Sequence, residues 1–314
     1  MTLVHVALIA GPVWLALAID RWLGEPPVRW HPVVWIGNYL GAVGKRIAPL
    51  AAATPRRAGP FVAGALSWCA GAVVVGGLAW GLQRLALALP WWVGALLLGA
   101  LLKPLLAWRM LRNEMLAVEA ALAVSLDAGR TQLARLVSRD VNQLSRSEVR
   151  ESAIESLAEN LNDSVVAPVF WFLLLGLPGA AIYRFANTAD AMWGYLGERN
   201  GRDWTWAGKW AARADDVLSW VPARLTALLL FPVSMQLLIA EARRTPSPNS
   251  GWPMAAMALR LGVKLGKPGV YVLNAAGRNP MKADVLRAAR LGEIAVVLLG
   301  CVAAGFAVTR TFAG

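Results

Sequence analysis

The sequence predicts an all-α, polytopic helical membrane protein with four to six transmembrane segments and helical cytoplasmic loops. The first sign is composition: of 314 residues, 57% are hydrophobic and only 16% charged, far from a soluble balance. The second is blocking. Apolar residues gather in stretches 3–19, 61–82, 85–108, 165–182, 217–240 and 291–308, each near the ~20 residues a bilayer requires. The third is where the formal charge of +12 sits. Basic residues are scattered over the loops 21–59, 109–164 and 241–290, which by the positive-inside bias are cytoplasmic and leave the amino terminus outside. No basic stripe or tail addresses nucleic acid. The chain reads as one integral membrane domain, 1–314, with a cytoplasmic helical insertion at about 109–164.

The first span has no Lys or Arg ahead of it, which predicts an uncleaved helix instead of a signal peptide. A Pro- and Gly-punctuated loop follows at 20–37, holding Asp20, Glu25 and His31. The proline after His31 keeps the chain extended and presents the imidazole to a pocket; the plainer alternative is a histidine satisfied by a backbone carbonyl. His5 is assigned no role. Residues 51–60 read as a basic linker into a helical hairpin, 61–108, that turns tightly at Gln83–Arg84 and whose Gly and Ala suit close packing. Cys69 and Cys301 lie in apolar spans, read as small buried residues, and build neither a disulfide framework nor a zinc site. The 16 tryptophans cluster near span ends, as an interfacial belt does.

Leu111, Met115, Val118, Leu122 and Leu126 recur at helical spacing, predicting an amphipathic cytoplasmic helix ended by Asp127-Ala-Gly129. Ser145-Arg-Ser-Glu148 has the form of a capping box, so the next helix starts near Ser145. Along it Glu148, Glu151, Glu155, Glu159 and Asp163 recur at three- and four-residue steps and form one stripe of carboxylates. Like charges at that spacing repel by a few tenths of a kcal/mol per pair, about 0.2–0.5, so the stripe requires neighbouring cations. Arg139, Arg146 and Arg150 are near enough to make it a solvated, ion-paired helix; a bound metal ion is the alternative.

Residues 165–182 are short for a span and contain Pro168, Gly176, Pro178 and Gly179, after which 183–195 turn polar. Residues 217–240 carry Pro222, Arg224 and Pro232. Either both segments cross the membrane or both are broken or partly inserted, the second arrangement keeping every polar loop cytoplasmic. An arginine inside an apolar stretch marks a site or a buried partner, for which Asp215 and Asp216 are close, or else snorkels to the surface. Residues 245–253, TPSPNSGWP, read as an ordered turn of hydroxyls, an amide and free backbone donors, of the kind that holds a phosphate. A helix over 254–265 follows. No Gly-x-x-x-x-Gly-Lys-Ser/Thr loop occurs.

Five blocks carry a resemblance over nearly the full length: 20–37 (DRWLGEPPVRWHPVVWIG), 139–171 (RDV through IESLAENLNDSVVAPVFW), 178–195 (PGAAIYRFANTADAMWGY), 215–224 (DDVLSWVPAR) and 247–257 (SPNSGWPMAAM). Together they resemble the adenosylcobinamide-phosphate synthases of cobalamin biosynthesis. The resemblance implies a multi-pass enzyme of a prokaryotic inner membrane, its site facing the cytoplasm. It implies condensation of the corrinoid adenosylcobyric acid with an aminopropanol, or its phosphate, using ATP and Mg²⁺, in the company of the lipid bilayer and other cobalamin-pathway enzymes.

On that reading, side-chain chemistry distributes roles. The carboxylate must be activated as an acyl phosphate, which is mainly positioning and charge neutralisation. Mg²⁺ fits a subset of Glu155, Glu159, Asp163 and Asp190, with Asn160 or Asn187 adding neutral oxygens. Arg139, Arg184 and Arg224 suit phosphate or carboxylate. Asp140 or a carboxylate of the stripe accepts the amine's proton. Asp20, His31, Tyr195, Ser247, Asn249 and Ser250 complete the substrate-binding set. Two rivals stand beside this reading. A non-catalytic membrane platform of the same architecture would be expected to have lost the acid and amide positions, and a transporter usually shows paired repeats, which this sequence lacks.

Overall fold

A computed structural model describes residues 2–51, 57–231 and 233–312. The all-α expectation holds. In chain order the helices are α1 (Thr2–Trp22), α2 (Pro32–Ile47), α3 (Ala58–Ala88), α4 (Trp91–Leu102), α5 (Trp108–Val124), α6 (Leu126–Leu133), α7 (Arg146–Leu161) and α8 (Ala167–Trp193). A two-stranded hairpin, β1 (Glu198–Arg199) and β2 (Arg202–Asp203), precedes α9 (Lys209–Leu218), α10 (Trp220–Leu229), α11 (Met235–Ala242) and α12 (Gly251–Leu261). A second hairpin, β3 (Leu265–Lys267) and β4 (Tyr271–Leu273), leads to α13 (Lys282–Phe312). Among the described residues four stretches are long and apolar enough to cross a membrane: 58–88, 91–124, 146–193 and 282–310. In the third, the apolar part follows Asp163.

The chain divides into two compact units. The first comprises Met1–Leu106, Ala167–Ser219 and Ala303–Gly314. Here α3 is one helix through Gln83 and Arg84, and the hairpin turns instead at Leu89–Pro90, where proline opens α4. The polar pair does not mark the turn: Arg84 is exposed on the helix surface and Gln83 has a task inside it. That task lies at Gly176, whose φ of 71° and ψ of −158° interrupt α8. Glycine alone takes that conformation cheaply. Leu177 N–H, released from the helical ladder, donates to Gln83 Oε1 at 2.7 Å. The expected break in 165–182 is therefore real, and its freed backbone is satisfied by a neighbouring helix, as buried irregular backbone must be. Beyond the break α8 stays helical through Arg184, Asn187 and Asp190, where the sequence read as a polar loop. Close approach of α3 and α8 depends on Gly71, where an added Cβ would lie 2.4 Å from the Phe185 ring. Cys69 and Cys301 are exposed on their helices, not buried.

Residues 217–240 do not form a continuous span. They are divided among the end of α9, the ten-residue α10 and the eight-residue α11. Pro222 falls in the first turn of α10, where its missing N–H costs nothing, and Phe231 takes a positive φ of 52° after α10 has ended. Ser234 then caps α11 by accepting from Leu237 N. Pro232, residues 52–56 of the linker and the side chain of His5 lie outside the described residues.

The second unit comprises Ala107–Val166 and Trp220–Val302. Met115, Val118 and Leu122 of α5 are fully buried, as their spacing predicts. Asp127-Ala-Gly129 does not end α5, however. Ser125 does, and its side chain caps a new helix by accepting from Ala128 N, so Asp127 and Gly129 belong to α6. Likewise α12 stops at Leu261 with Gly262 left-handed at its end, so Leu265 is a strand residue. Across α5 and α7, Arg150 donates from Nε and Nη2 to both carboxylate oxygens of the buried Glu119, at 2.7 and 2.8 Å. This fork fixes the rotation of α7. Arg150→Met leaves Glu119 as an uncompensated buried charge and should cost on the order of 3 kcal/mol. A lowered thermal midpoint in detergent, partly restored by adding Glu119→Gln, is the expected result.

Candidate functional site

The capping box at the start of α7 is formed in both directions: Glu148 N donates to Ser145 Oγ and Ser145 N donates to Glu148 Oε2 at 2.7 Å. It sets the register in which the carboxylate stripe turns into protein. Glu151 and Glu155 are only 3% and 4% exposed, so the stripe is not a solvated ion-paired face. Nor do the three arginines serve it as expected. Arg150 belongs to Glu119, Arg146 donates to the Leu122 carbonyl, and only Arg139 reaches the stripe, through Nη2 to Glu155 Oε2 at 3.3 Å and to Ser152 Oγ.

Beside Glu155 lies a cavity of about 330 Å³ within the second unit. One wall is α7, with Ser152, Glu155, Ser156, Glu159 and Asn160. The turn after α11 contributes Ser247 and Ser250, and the β3–β4 hairpin brings Lys267 and Tyr271. Glu155 Oε1 is buried and has no hydrogen-bond partner. Burial pushes this carboxyl up to about 7, and the Arg139 charge together with the Tyr271 hydroxyl only partly offsets it. The Tyr271 hydroxyl is pushed far above its ordinary range, by burial and then by the charges of Glu155 and Glu159. Burial also raises Glu151, against the pull of Lys264 at 3.9 Å.

The turn at 245–250 is as ordered as its composition promises. Ser247 Oγ accepts from the backbone N–H of Asn249 and of Ser250, both at 3.2 Å. Arg224 braces it. Its Nη1 donates to Trp220 O and to Asn249 Oδ1, at 2.7 and 2.8 Å, and its Nη2 donates to Pro248 O at 3.1 Å. Trp220 and Trp252 lie 4.3 and 4.6 Å from the guanidinium carbon. The expected partners Asp215 and Asp216 instead accept from Asn187 and Arg213. Arginine prefers this box because two aromatic faces and three oxygens match its plane and its donors.

The remaining predicted residues are placed elsewhere. Asp140 is exposed and accepts from Asn142 N at 2.9 Å, a local turn, and does not line the cavity. Asp163 accepts from Asn162 Nδ2 within a π-helical turn, 162–166, and is likewise absent from the lining. In the first unit, Arg184 donates to Asn187 at 3.4 Å, Asp190 packs under Gly194, and Tyr195 lies beneath Arg199. Asp20 and His31 join a different knot of that unit. Lys103, buried, pairs with Asp20 at 3.2 Å and with Glu25 at 2.9 Å, and His31 Nε2 meets Glu25 at 3.1 Å. His31 also caps α2, its Nδ1 accepting from Val33 N, so the histidine is held by a carboxylate and a backbone N–H, not by a carbonyl. Burial raises the Glu25 carboxyl, yet His31 and Lys103 outweigh it and hold the group below its ordinary value.

Sequence reasoning missed Ser152, Ser156, Lys267, Tyr271 and Lys103. The two serines were legible, since each precedes a stripe acid by three residues and shares its face. Lys267 and Tyr271 carried no signal, because the hairpin that presents them was not expected in an all-helical chain.

A family model described as CobD/Cbib protein matches residues 13–297. The chain belongs to this family. A probable cobalamin biosynthesis protein CobD of Methanothermobacter thermautotrophicus is 38% identical, over 93% of this chain and 95% of its own length. A protein of the same description from Thermococcus kodakarensis is 41% identical, over 92% and 94%. The cobalamin biosynthesis protein CobD of Brucella suis is 36% identical, over 88% and 89%. No solved structure matches the chain. The CobD/Cbib match takes in both units, and with them the cavity on α7 and the Lys103 knot.

The raised Glu155 carboxyl has a signature in stability. Folded pKa about 7 lies above the unfolded value of 4.5, so between these values the folded state keeps a proton that the unfolded state gives up. Its contribution is fully present below about pH 4.5 and lost as pH rises through 7, on the order of 3 kcal/mol in all. Thermal midpoints measured from pH 4.5 to 7.5 should fall for the parent relative to Glu155→Gln, which cannot ionise.

Proposed function

We propose that this CobD/Cbib family member acts in cobalamin biosynthesis as an ATP-dependent ligase that joins aminopropanol, as its phosphate, to the propionate carboxylate of adenosylcobyric acid. Family membership and the names of the relatives support the pathway. The observation that carries the reaction class is Glu155: a buried carboxyl near pH 7 with one oxygen unpartnered, facing a polar cavity.

In the proposed reaction the corrinoid carboxylate attacks the terminal phosphoryl group of ATP and ADP leaves. The amine then attacks the acyl phosphate, forming the amide and releasing phosphate, and must shed one proton. Glu155 in its ionised form accepts that proton, since a base works best when its pKa lies near the operating pH. Arg139, beside it, steadies negative charge. The Ser250 hydroxyl, on the turn that Ser247 orders, and the Lys267 ammonium are suited to phosphate oxygens.

Among the described residues no group of three or more His, Cys, Asp or Glu forms a metal cage. Magnesium needs none, because it favours one or two carboxylates with phosphate oxygens and water. Glu159, on the same wall, fits that demand and leaves Glu155 Oε1 free to take the proton. Bound there, Mg²⁺ would neutralise charge on the phosphoryl group. The apolar stretches would anchor the enzyme in a prokaryotic inner membrane with the cavity toward the cytoplasm, where ATP is available.

The test is turnover by the purified protein in detergent with adenosylcobyric acid, aminopropanol phosphate, ATP and Mg²⁺, following the amide by mass. The parent should form product, and Glu155→Gln should lower kcat by roughly 100-fold or more, with Glu159→Gln also impaired. A folded parent that forms no product, or Glu155→Gln working at the parent's rate, would sink the proposal.

A further inference from the structure

The first unit has a cavity of its own, about 350 Å³, walled by the ends of α2 and α8 and by the β1–β2 hairpin. Its charged lining is Lys45, Arg199 and Arg202, with no acid among the lining residues. The hairpin explains how the arginines come to be there. Residues 198–203 read Glu-Arg-Asn-Gly-Arg-Asp, and Asn200 and Gly201 both take positive φ, 53° and 73°. An Asn-Gly pair is the favoured two-residue hairpin turn, because both positions require the left-handed region. The register then sets Arg199 directly opposite Arg202.

Directly opposed residues put their side chains on one face of a hairpin, with Cβ atoms about 5 Å apart, and like charges so placed are destabilising. Glu198 opposite Asp203 cannot relieve the repulsion, since strand alternation sends that pair to the other face. Arg202 is tied back by Nη1 to the Ala48 carbonyl at 2.6 Å. Arg199 is held differently. Its guanidinium carbon lies 3.7 Å from the centre of the Tyr195 ring, a contact that fixes its plane without consuming any N–H. Its Nη1 is buried and has no hydrogen-bond partner. A buried charged donor left unsatisfied is rare and costly, and here it coincides with two further cations and an acid-free wall.

We propose that this cavity binds a phosphate-bearing anion, with Arg199 as its principal ligand and Lys45 and Arg202 supplying further positive charge. The guanidinium fork matches two phosphate oxygens at once, and an anion between Arg199 and Arg202 removes the repulsion that the turn imposes. The phosphate can belong to a soluble compound or to the headgroup of an anionic phospholipid, for the recognition chemistry is the same. The proposal does not depend on the ligase reading.

The experiment uses the full chain in nanodiscs of phosphatidylcholine, titrated calorimetrically with inorganic pyrophosphate, in the parent and in an Arg139→Gln background that disables the cavity on α7. A second arm uses discs containing phosphatidylglycerol and counts retained lipid by native mass spectrometry. Pyrophosphate binding that persists in Arg139→Gln and weakens about tenfold or more in Arg199→Gln, at an unchanged melting temperature, supports a soluble ligand. Phosphatidylglycerol retained by the parent and lost in Arg199→Gln, without pyrophosphate binding, supports the headgroup. Should Arg199→Gln fail to fold, Lys45→Gln, an exposed side chain, is read in its place with a smaller loss expected. Pyrophosphate binding and lipid retention that both ignore these substitutions overturn the proposal.

Discussion

Burying the carboxylates of α7 is the constraint on which the second unit depends. A lone ionised carboxylate in a protein interior costs several kcal/mol unless it is paired or neutralised, and α7 turns two of them inward within one helical turn. Each is handled differently. Glu151 has Ser147 and the longer reach of Lys264. Glu155 has Arg139 on Oε2 and the Tyr271 hydroxyl beside the carboxyl, while Oε1 meets no donor at hydrogen-bond geometry. The Arg150–Glu119 fork absorbs no part of this load. It anchors α7 to α5, so the helix cannot rotate to release its acids to water. Rigidity in the anchor thus maintains an unsatisfied group at the cavity, a condition more useful for chemistry than for stability.

The turn opposite α7 follows a related logic. Arg224 would be an expensive residue in an apolar segment, yet its faces are covered by tryptophans and its donors meet Trp220 O, Asn249 and Pro248 O. Those bonds end on the turn whose Ser247 and Ser250 line the cavity. The arginine therefore acts by shaping one wall of the cavity, and its charge is largely committed within the protein.

In the first unit, polar groups repair the places where apolar helices depart from regularity. Gln83 of α3 supplies the acceptor that the break at Gly176 leaves wanting. Lys103, at the end of α4, gathers Asp20 and Glu25, and Glu25 in turn holds His31 at the start of α2. These contacts let short and broken helices pack without exposing backbone, which a hydrocarbon surrounding would penalise.

The sequence by itself determined the class and much of the local structure. The capping box at Ser145, the serine-rich turn at 247–250 and the breakers around Gly176 all act through short-range rules, and each is found where its residues place it. It also determined the family, through blocks spread along the chain. What it could not determine depended on partners distant in sequence. Charge spacing alone did not tell a solvated stripe from a buried one, because Glu119, which claims Arg150, lies 31 residues away. The residues 217–240 read as a span on composition, yet their helices end at Leu218 and Leu229 for reasons of local geometry that an average over apolar residues erases. Asp140 and Asp163 looked equal to Glu155 as acids, and only folding put Glu155 on the cavity and the other two away from it. Tyr271, Lys267 and Arg199 arrive on small hairpins whose few residues are outweighed, in any reading by composition, by the helices around them. Local rules set the elements; which charges end unpaired was decided by tertiary packing, since only there do side chains far apart in the chain compete for the same partner.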